Sequence, residues 1–324
     1  MNRFAACFLL LAAVQAAKAE DIKVATYNIE QWATNFQGHR MQQATQKSNQ
    51  PVSEQMSEVI IAERQQNDED NWEIGQVILD KSFNPDVLVV QEGCGQSDLS
   101  FFNRRWLNNA YETVVQFPSN TDRDQHLCIL LKPGFKILQR RDKYHEERDT
   151  AGNERGTRLF ARGPVFCLIQ SPSGYKFWVG VTHQKSKRDN DVPNTEWRNR
   201  ESRRTHEIMK ELEKAGPNDV ILLGDMNDEF GLQEFEAQGG GDSIGNLVGP
   251  EQDGFVLVTK KLHDAKEFSF GGYWRTDFRT LIDHAIVSRG MKDQIGEVKV
   301  VKTPPLAPVA SDHYPVMVTV KADQ

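Results

Sequence analysis

Cysteine is scarce in this chain, with four in 324 residues, and no CxxC or CxxH spacing occurs anywhere. That excludes a disulfide-built scaffold and a structural zinc site. Glycine and proline, at 23 and 13, are too few for a collagen-like or low-complexity chain. Beyond residue 17 no stretch approaches the roughly 20 apolar residues that a membrane-spanning helix needs. An excess of positive charge is also missing: 39 Lys+Arg stand against 46 Asp+Glu, giving −7. The chain is therefore not a generally basic coat for nucleic acid, although a local site that receives phosphate remains compatible with this balance. No repeat of fixed period is present. What remains, 26% charged and 38% hydrophobic residues, is the composition of a folded globular protein.

The first 19 residues read as an export signal rather than as part of the fold. Met1-Asn2-Arg3 is followed by the short apolar run FAACFLLLAAVQAA, and Ala17-Lys18-Ala19 forms a small-x-small cleavage site before Glu20. The expectation is a secreted or periplasmic protein whose residues 20–324 form a single domain, without an integral membrane segment and monomeric. Cleavage removes Arg3 and Lys18, taking the charge from −7 to −9. It also removes Cys7 and leaves Cys94, Cys128 and Cys167, which permit one disulfide or three buried thiols.

Strands and helices alternate along the remainder. KVATYN (23–28), VLVVQE (87–92), VILLGD (220–225), LIDHAIVS, EVKVVKT and HYPVMVTVK read as strands, with further strands at 111–117, 126–132, 157–170 and 175–183. Residues 33–50 read as a loop, 53–82 as helix broken near RQQNDEDN, 196–215 as a helix stopped by Gly216-Pro217, and 238–245 as a Gly-rich loop. Together these predict one α/β domain.

Six of the apolar segments end in a carboxylate, amide or imidazole: TYNIE (Asn28, Glu30), VVQE (Glu92), GVTHQ (His183), LLGDMND (Asp225, Asn227), LIDH (Asp283, His284) and SDHYP (Asp312, His313). Strand ends can present side chains into one cleft from a rigid scaffold. Phosphate-ester hydrolysis requires a hard cation, a group that orients water, and donors for the developing charge. Mg²⁺ takes oxygen ligands and retains waters, so Glu92, which follows four apolar residues and Gln91, is the leading candidate ligand. Asp312 and Asn28 are further candidates. Glu30 is a candidate outer-shell group. His284 alternates with Asp283 on its strand and is expected on the opposite face as a structural residue.

The order of these blocks, above all GDMN and SDHYPV, resembles the endonuclease/exonuclease/phosphatase superfamily from Ile22 to Val320. That superfamily includes deoxyribonuclease-I-like nucleases, abasic-site endonucleases, sphingomyelinases and inositol-polyphosphate 5-phosphatases. The resemblance implies a four-layer α/β/β/α sandwich of two packed mixed β-sheets. It implies Mg²⁺, with Mn²⁺ an alternative. It further implies that Asp225 polarises the attacking water, that Asn227 holds that water or a phosphate oxygen, and that His313, oriented by Asp283, contacts the scissile phosphate. His183 becomes a second phosphate contact or the general acid.

Nucleic acid is the expected substrate. Residues 183–204 carry seven Lys/Arg against four Asp/Glu, and Lys185, Lys187 and Arg188 are candidate phosphate contacts. A second basic group, from Arg140 to Arg162, is offset by five acids. Arg198–Arg204 could equally coat a solvated helix face, and Trp197 reads as core. FSFGGYWR (268–275) reads as a core strand with a Gly-Gly turn or as an aromatic hairpin facing substrate. A phospholipid or sphingomyelin phosphodiesterase, a phosphomonoesterase, and an inactive binding module of the same fold remain as alternatives.

Overall fold

The computed structural model describes residues 20–30, 68–120, 125–153, 156–186, 192–231, 241–252, 254–271, 279–302 and 310–322. The proposed signal segment, the 33–50 loop, the first part of the 53–82 helix, Lys187 and Arg188 lie outside them. The strands are β1 (Glu20–Asn28), β2 (Val87–Gly93), β3 (Thr113–Phe117), β4 (His126–Leu131), β5 (Lys136–Arg141), β6 (Arg148–Asn153), β7 (Gly156–Arg158), β8 (Val165–Gln170), β9 (Lys176–His183), β10 (Val220–Asp225), β11 (Val256–Leu257), β12 (Asp283–Val287), β13 (Ile295–Val300) and β14 (Val316–Ala322).

Two six-stranded sheets form, in the orders β13-β14-β1-β2-β4-β3 and β11-β12-β10-β9-β8-β5. Each contains one parallel pair near its centre, β1 with β2 and β9 with β10, and antiparallel pairs elsewhere. The central strands are apolar on both faces because both faces are covered. Val24, Val87, Val89, Val179, Val181, Ile221 and Leu223 fill the space between the sheets. Ala25, Tyr27, Leu88 and Val90 point outward, where Ile74, Val77 and Ile78 of the helix at 68–79 and Leu99 and Phe102 of the helix Gln96–Arg105 cover them. On the far side Trp178, Val220 and Leu222 meet Ile208, Met209 and Leu212 of the long helix Val192–Ala215, and Ile244 and Leu247 of the helix Ser243–Val248. The result is two mixed sheets packed face to face with helices outside, the expected four-layer sandwich.

The structure adds β5, β6 and the helix Gln96–Arg105, which the sequence reading does not predict, and departs from that reading elsewhere as well. Residues 157–170 form two strands rather than one, because Gly163 adopts φ +87° and Pro164 has no N–H to give to a ladder. Within 238–245 a helix already begins at Ser243, where the Asp242 carboxylate caps it by accepting from the Gly245 N–H at 2.8 Å.

The parallel pairs set where the site lies. Asn28 is registered beside Gln91, and Asp225 beside His183, so the carboxyl ends of both pairs finish on the same side of the sandwich. Gly224 makes this possible: at φ +153° its position has no room for a Cβ, which would stand 2.0 Å from the Thr182 carbonyl oxygen. Gly224→Ala is therefore expected to cost more than about 2 kcal/mol of stability, as backbone strain plus a backbone clash. Urea denaturation checks this, and a loss below about 0.5 kcal/mol would contradict the geometric argument.

Candidate active site

Asn28 and Asp225, from different sheets, meet directly. The buried Asn28 amide donates to Asp225 Oδ2 at 3.0 Å, and its own oxygen accepts from the Glu30 N–H at 3.1 Å. The Asn227 N–H donates to Asp225 Oδ1 at 2.8 Å, which the left-handed φ of +50° at Asn227 permits. The Asn227 side chain in turn donates to the Gln184 carbonyl at 3.0 Å. His183 Nε2 lies 3.3 Å and His313 Nε2 3.8 Å from the same Asp225 Oδ2. Burial opposes a charge on Asp225, but the two imidazoles and the Asn227 amide hold it well below the usual carboxylate range.

The imidazoles sit in opposite electrostatic settings. Burial, aided by the Arg162 guanidinium, holds His183 below its ordinary value, so it is neutral near pH 7, and its Nδ1 is buried with no hydrogen-bond partner among the described residues. Burial works the same way on His313, but Asp283, whose Oδ2 lies 2.7 Å from His313 Nδ1, overrides it and raises the group to about 10. Asp283 is itself fixed by the Ser269 hydroxyl at 2.7 Å. The site thus presents one neutral and one cationic imidazole to one ionised carboxylate.

Glu92, at φ +57°, extends its carboxylate toward this group. Gln125 Nε2 donates to one oxygen at 2.8 Å, while the other lies 3.8 Å from His183 Nε2 and 3.9 Å from Arg162. Glu30 accepts from the Asp312 N–H at 2.9 Å. Burial first, then repulsion from Asp312, raises Glu30 to about 7, and Asp312 is raised by burial and by Glu92 among its neighbours. Such a crowd of carboxylates fits a divalent cation, whose charge would relieve it. Among the described residues no three His, Cys, Asp or Glu side chains converge closely enough to cage a cation alone. Glu92, Asn28 and Asp312 are the groups that would hold it.

Several expectations are resolved by these contacts. His284 is buried with Nδ1 on Thr259 and Nε2 on the Asp228 carbonyl, both at 2.9 Å, as a structural residue. Trp197 is core, its indole N–H bonded to the Leu159 carbonyl at 2.6 Å. Lys185 holds its ammonium 5.3 Å from the Trp197 ring. Phe270 of FSFGGYWR forms a bridge to His313 and places its ring 4.8 Å from the imidazole. The basic helix is a solvated coat only in part, with Arg203 exposed. Arg198 is fully buried near Asp228, while Arg200 and Arg204 pair with Asp149 and Glu147.

Two participants are not marked by the strand-end pattern. Arg162 reaches Glu92, Gln125 Oε1 at 3.3 Å and the Gln184 carbonyl at 3.4 Å; an Arg-Gly-Pro turn just before an apolar strand is its only mark in the sequence. Glu201, buried in the long helix, accepts from the Ala161 N–H at 3.1 Å and the Lys185 N–H at 2.8 Å, thereby fastening the loop before Arg162 and the one that leaves β9 after His183.

This fold, with an Asn–Asp–His cluster at the meeting of two parallel strand pairs, defines a class of phosphate-ester hydrolases. A sequence model of the Endonuclease/Exonuclease/phosphatase family matches residues 58–313, and the chain belongs to that family, whose members are phosphoesterases that generally use divalent metals. Comparison with curated proteins finds no match. Among solved structures, a family protein from Bacteroides thetaiotaomicron superposes with a TM-score of 0.60 at 17% identity, covering 95% of this chain and 97% of that one. A mannosyl-6-phosphatase from the same organism gives 0.58 at 18%, covering 92% and 99%. Truncated Caenorhabditis elegans TDP2 gives 0.57 at 16%, covering 93% and 98%. Among the described residues no helix is long and apolar enough to cross a membrane.

The charge on His313 has a consequence for pH. Its folded value near 10 lies above the ordinary imidazole value of about 6.5, so its stabilising contribution is complete below about pH 6.5 and lost as pH rises toward 10. Asp283→Asn should flatten this loss. Denaturant midpoints at pH 6 and pH 10, with an NMR titration of the His313 ring, measure it. An unchanged ring titration in the variant would remove Asp283 as the cause.

Proposed function

We propose that the chain is an exported, Mg²⁺-dependent phosphodiesterase that hydrolyses nucleic acid by in-line attack of water, in the manner of a deoxyribonuclease. The observation that carries this reading is the convergence of Asn28, His183, Asp225 and the Asp283–His313 pair on one point, with Glu92 beside it. Export rests on the sequence of residues 1–19 alone.

The chemistry follows from the charge states. Asp225 is ionised and is held by Asn28 and by the Asn227 N–H, so its lone pairs are aimed and ready to orient or accept a proton from water. His313, charged through Asp283, offers its Nε2–H to a phosphoryl oxygen whose negative charge grows during attack. His183, neutral and facing Asp225 and Glu92, can hold a phosphate oxygen or pass a proton at Nε2. Arg162 adds a fixed positive charge at the rim. A divalent cation on Glu92 would supply further neutralisation of phosphoryl charge.

A second reading, a phosphomonoesterase acting on a small molecule, is favoured by one observation. Arg198, Arg200 and Arg204 are engaged by Asp228, Asp149 and Glu147, so the long helix offers a polyanion less than its composition suggests.

Purified protein beginning at residue 20 should nick supercoiled plasmid in Mg²⁺ and lose that activity in EDTA. Asp225→Asn and His313→Ala should each lower the rate by roughly 10²–10⁴-fold while the thermal midpoint shows a retained fold. Retention of more than about a tenth of the rate would sink the assigned roles. Activity confined to a sugar phosphate, a small diester or sphingomyelin would keep the chemistry and discard nucleic acid.

A further inference from the structure

We propose that the exposed cations Arg140, Arg141, Lys143 and Arg148 form a track for the sugar-phosphate backbone of nucleic acid on one flank of the scissile phosphate. The inference rests on the reading of the site as a nuclease and adds to it the surface that receives the flanking substrate.

Strand register places these residues at the end of the sandwich where the site lies. Arg141 is opposite Phe166 on β8, and Phe166 is opposite Gly180 on β9, three residues before His183. With strands about 4.8 Å apart, the end of β5 stands about 10 Å from β9, a span of roughly three nucleotides at 3.4 Å per step. The β6–β7 arm continues the same rim. Its second strand runs through the buried Leu159, Phe160 and Ala161 to Arg162, whose carbonyl accepts from the His183 N–H at 3.4 Å. The arm is thus joined to the site by three residues, and Asn120 secures its base by donating to the His145 and Phe160 carbonyls at 2.6 and 2.7 Å.

In sequence the seven cations from Arg140 to Arg162 are offset by five acids, but in space two of those acids turn inward. Asp149 is buried and receives a bidentate guanidinium, at 2.8–3.2 Å, from Arg200. Glu147 receives Arg204 at 2.8 and 3.0 Å. The helix arginines therefore engage two acids of the arm, while Arg140, Arg141, Lys143 and Arg148 stay exposed, Arg140 and Arg141 on the two faces of the edge strand β5, opposite Cys167 and Phe166. Asp142 and Glu146 are the acids of this stretch that remain toward solvent among the described residues.

A second feature points the same way. Arg148 and Arg158 are directly registered partners across the arm, so two cations share one face of a two-stranded ladder. Arg158 donates to the Glu146 carbonyl and Arg148 is exposed opposite it, so a polyanion crossing this face would meet a cation on each strand. Basic residues on the edge strand β5 also deter edge-to-edge pairing, but that role does not call for a paired Arg148 and Arg158 on the arm.

The test uses full-length mature protein, the triple variant Arg140→Ser/Arg141→Ser/Lys143→Ser, and Arg148→Ser. Cleavage of a 30-base-pair duplex and of bis-p-nitrophenyl phosphate is followed between about 50 and 200 mM NaCl, with thermal midpoints confirming folding. The triple variant should raise KM for the duplex about tenfold or more. The slope of log kcat/KM against log salt should become shallower by roughly 0.9 for each phosphate that is no longer neutralised, with the small diester unaffected. Arg148→Ser should shift both quantities in the same direction, by the amount due to about one phosphate. Wild-type cleavage of the duplex with unchanged KM and slope in both variants would overturn the track while leaving the nuclease reading standing. Turnover of the small diester by wild type without any turnover of duplex would overturn both. Loss of binding to anionic phosphatidylglycerol vesicles, with duplex cleavage intact, would assign the cations to a lipid surface and overturn the track as well.

Discussion

The hydrogen bond from Asn28 to Asp225 joins two sheets that share no strand, and the arrangement of the site depends on it. It can form because each sheet carries one parallel pair, and both pairs direct their carboxyl ends to the same side. A strand end frees side chains from the ladder without freeing the backbone beneath them. Asp225 therefore inherits the rigidity of β10 and its neighbours, and a carboxylate held by Asn28 and Asn227 needs little reorganisation to meet a reacting phosphate. Gly224, one residue earlier, shows how tight this junction is, since the chain passes the Thr182 carbonyl with no space for a methyl group.

The long helix works as two different objects. Its later turns bury Ile208, Met209 and Leu212 against the sheet in the ordinary way. Its earlier turns bury Arg198, Glu201, Ser202 and Thr205, polar residues at the spacing a core face would have. Their partners are loop backbone and inward-facing acids: the Ala161 and Lys185 amides, the Lys185 carbonyl, and Asp228. Buried polar groups held by such partners favour one arrangement of the loops around them. The loops so specified carry Arg162 and Asn227 and continue directly from His183 at the end of β9.

Much of this was legible in the sequence, and the rest was hidden for physical reasons. The central strands declared themselves because burial on both faces makes them apolar throughout, and the carboxylates, amides and imidazoles at their ends stood out against that background. β5 was invisible, since an exposed edge strand reading KILQRR shows neither alternation nor an apolar run. Glu201 was invisible for the opposite reason: a carboxylate in a helix rich in charge looks solvated until its two amide donors are seen. The pairing of Arg200 with Asp149 and of Arg204 with Glu147 spans about 50 residues of chain, a distance over which sequence reports composition but not contact.

Among the described residues Cys94, Cys128 and Cys167 form no disulfide and are buried, and burial pushes each thiol upward, Cys167 to about 12. A thiol that stays protonated and out of solvent is a poor partner for exchange with a disulfide or a metal. They behave as small apolar side chains, filling the interior beside Val90 and Val179. The packing of the described residues is therefore held by burial at these three positions, where a thiol fills the volume that an alanine or a valine fills elsewhere in the same clusters.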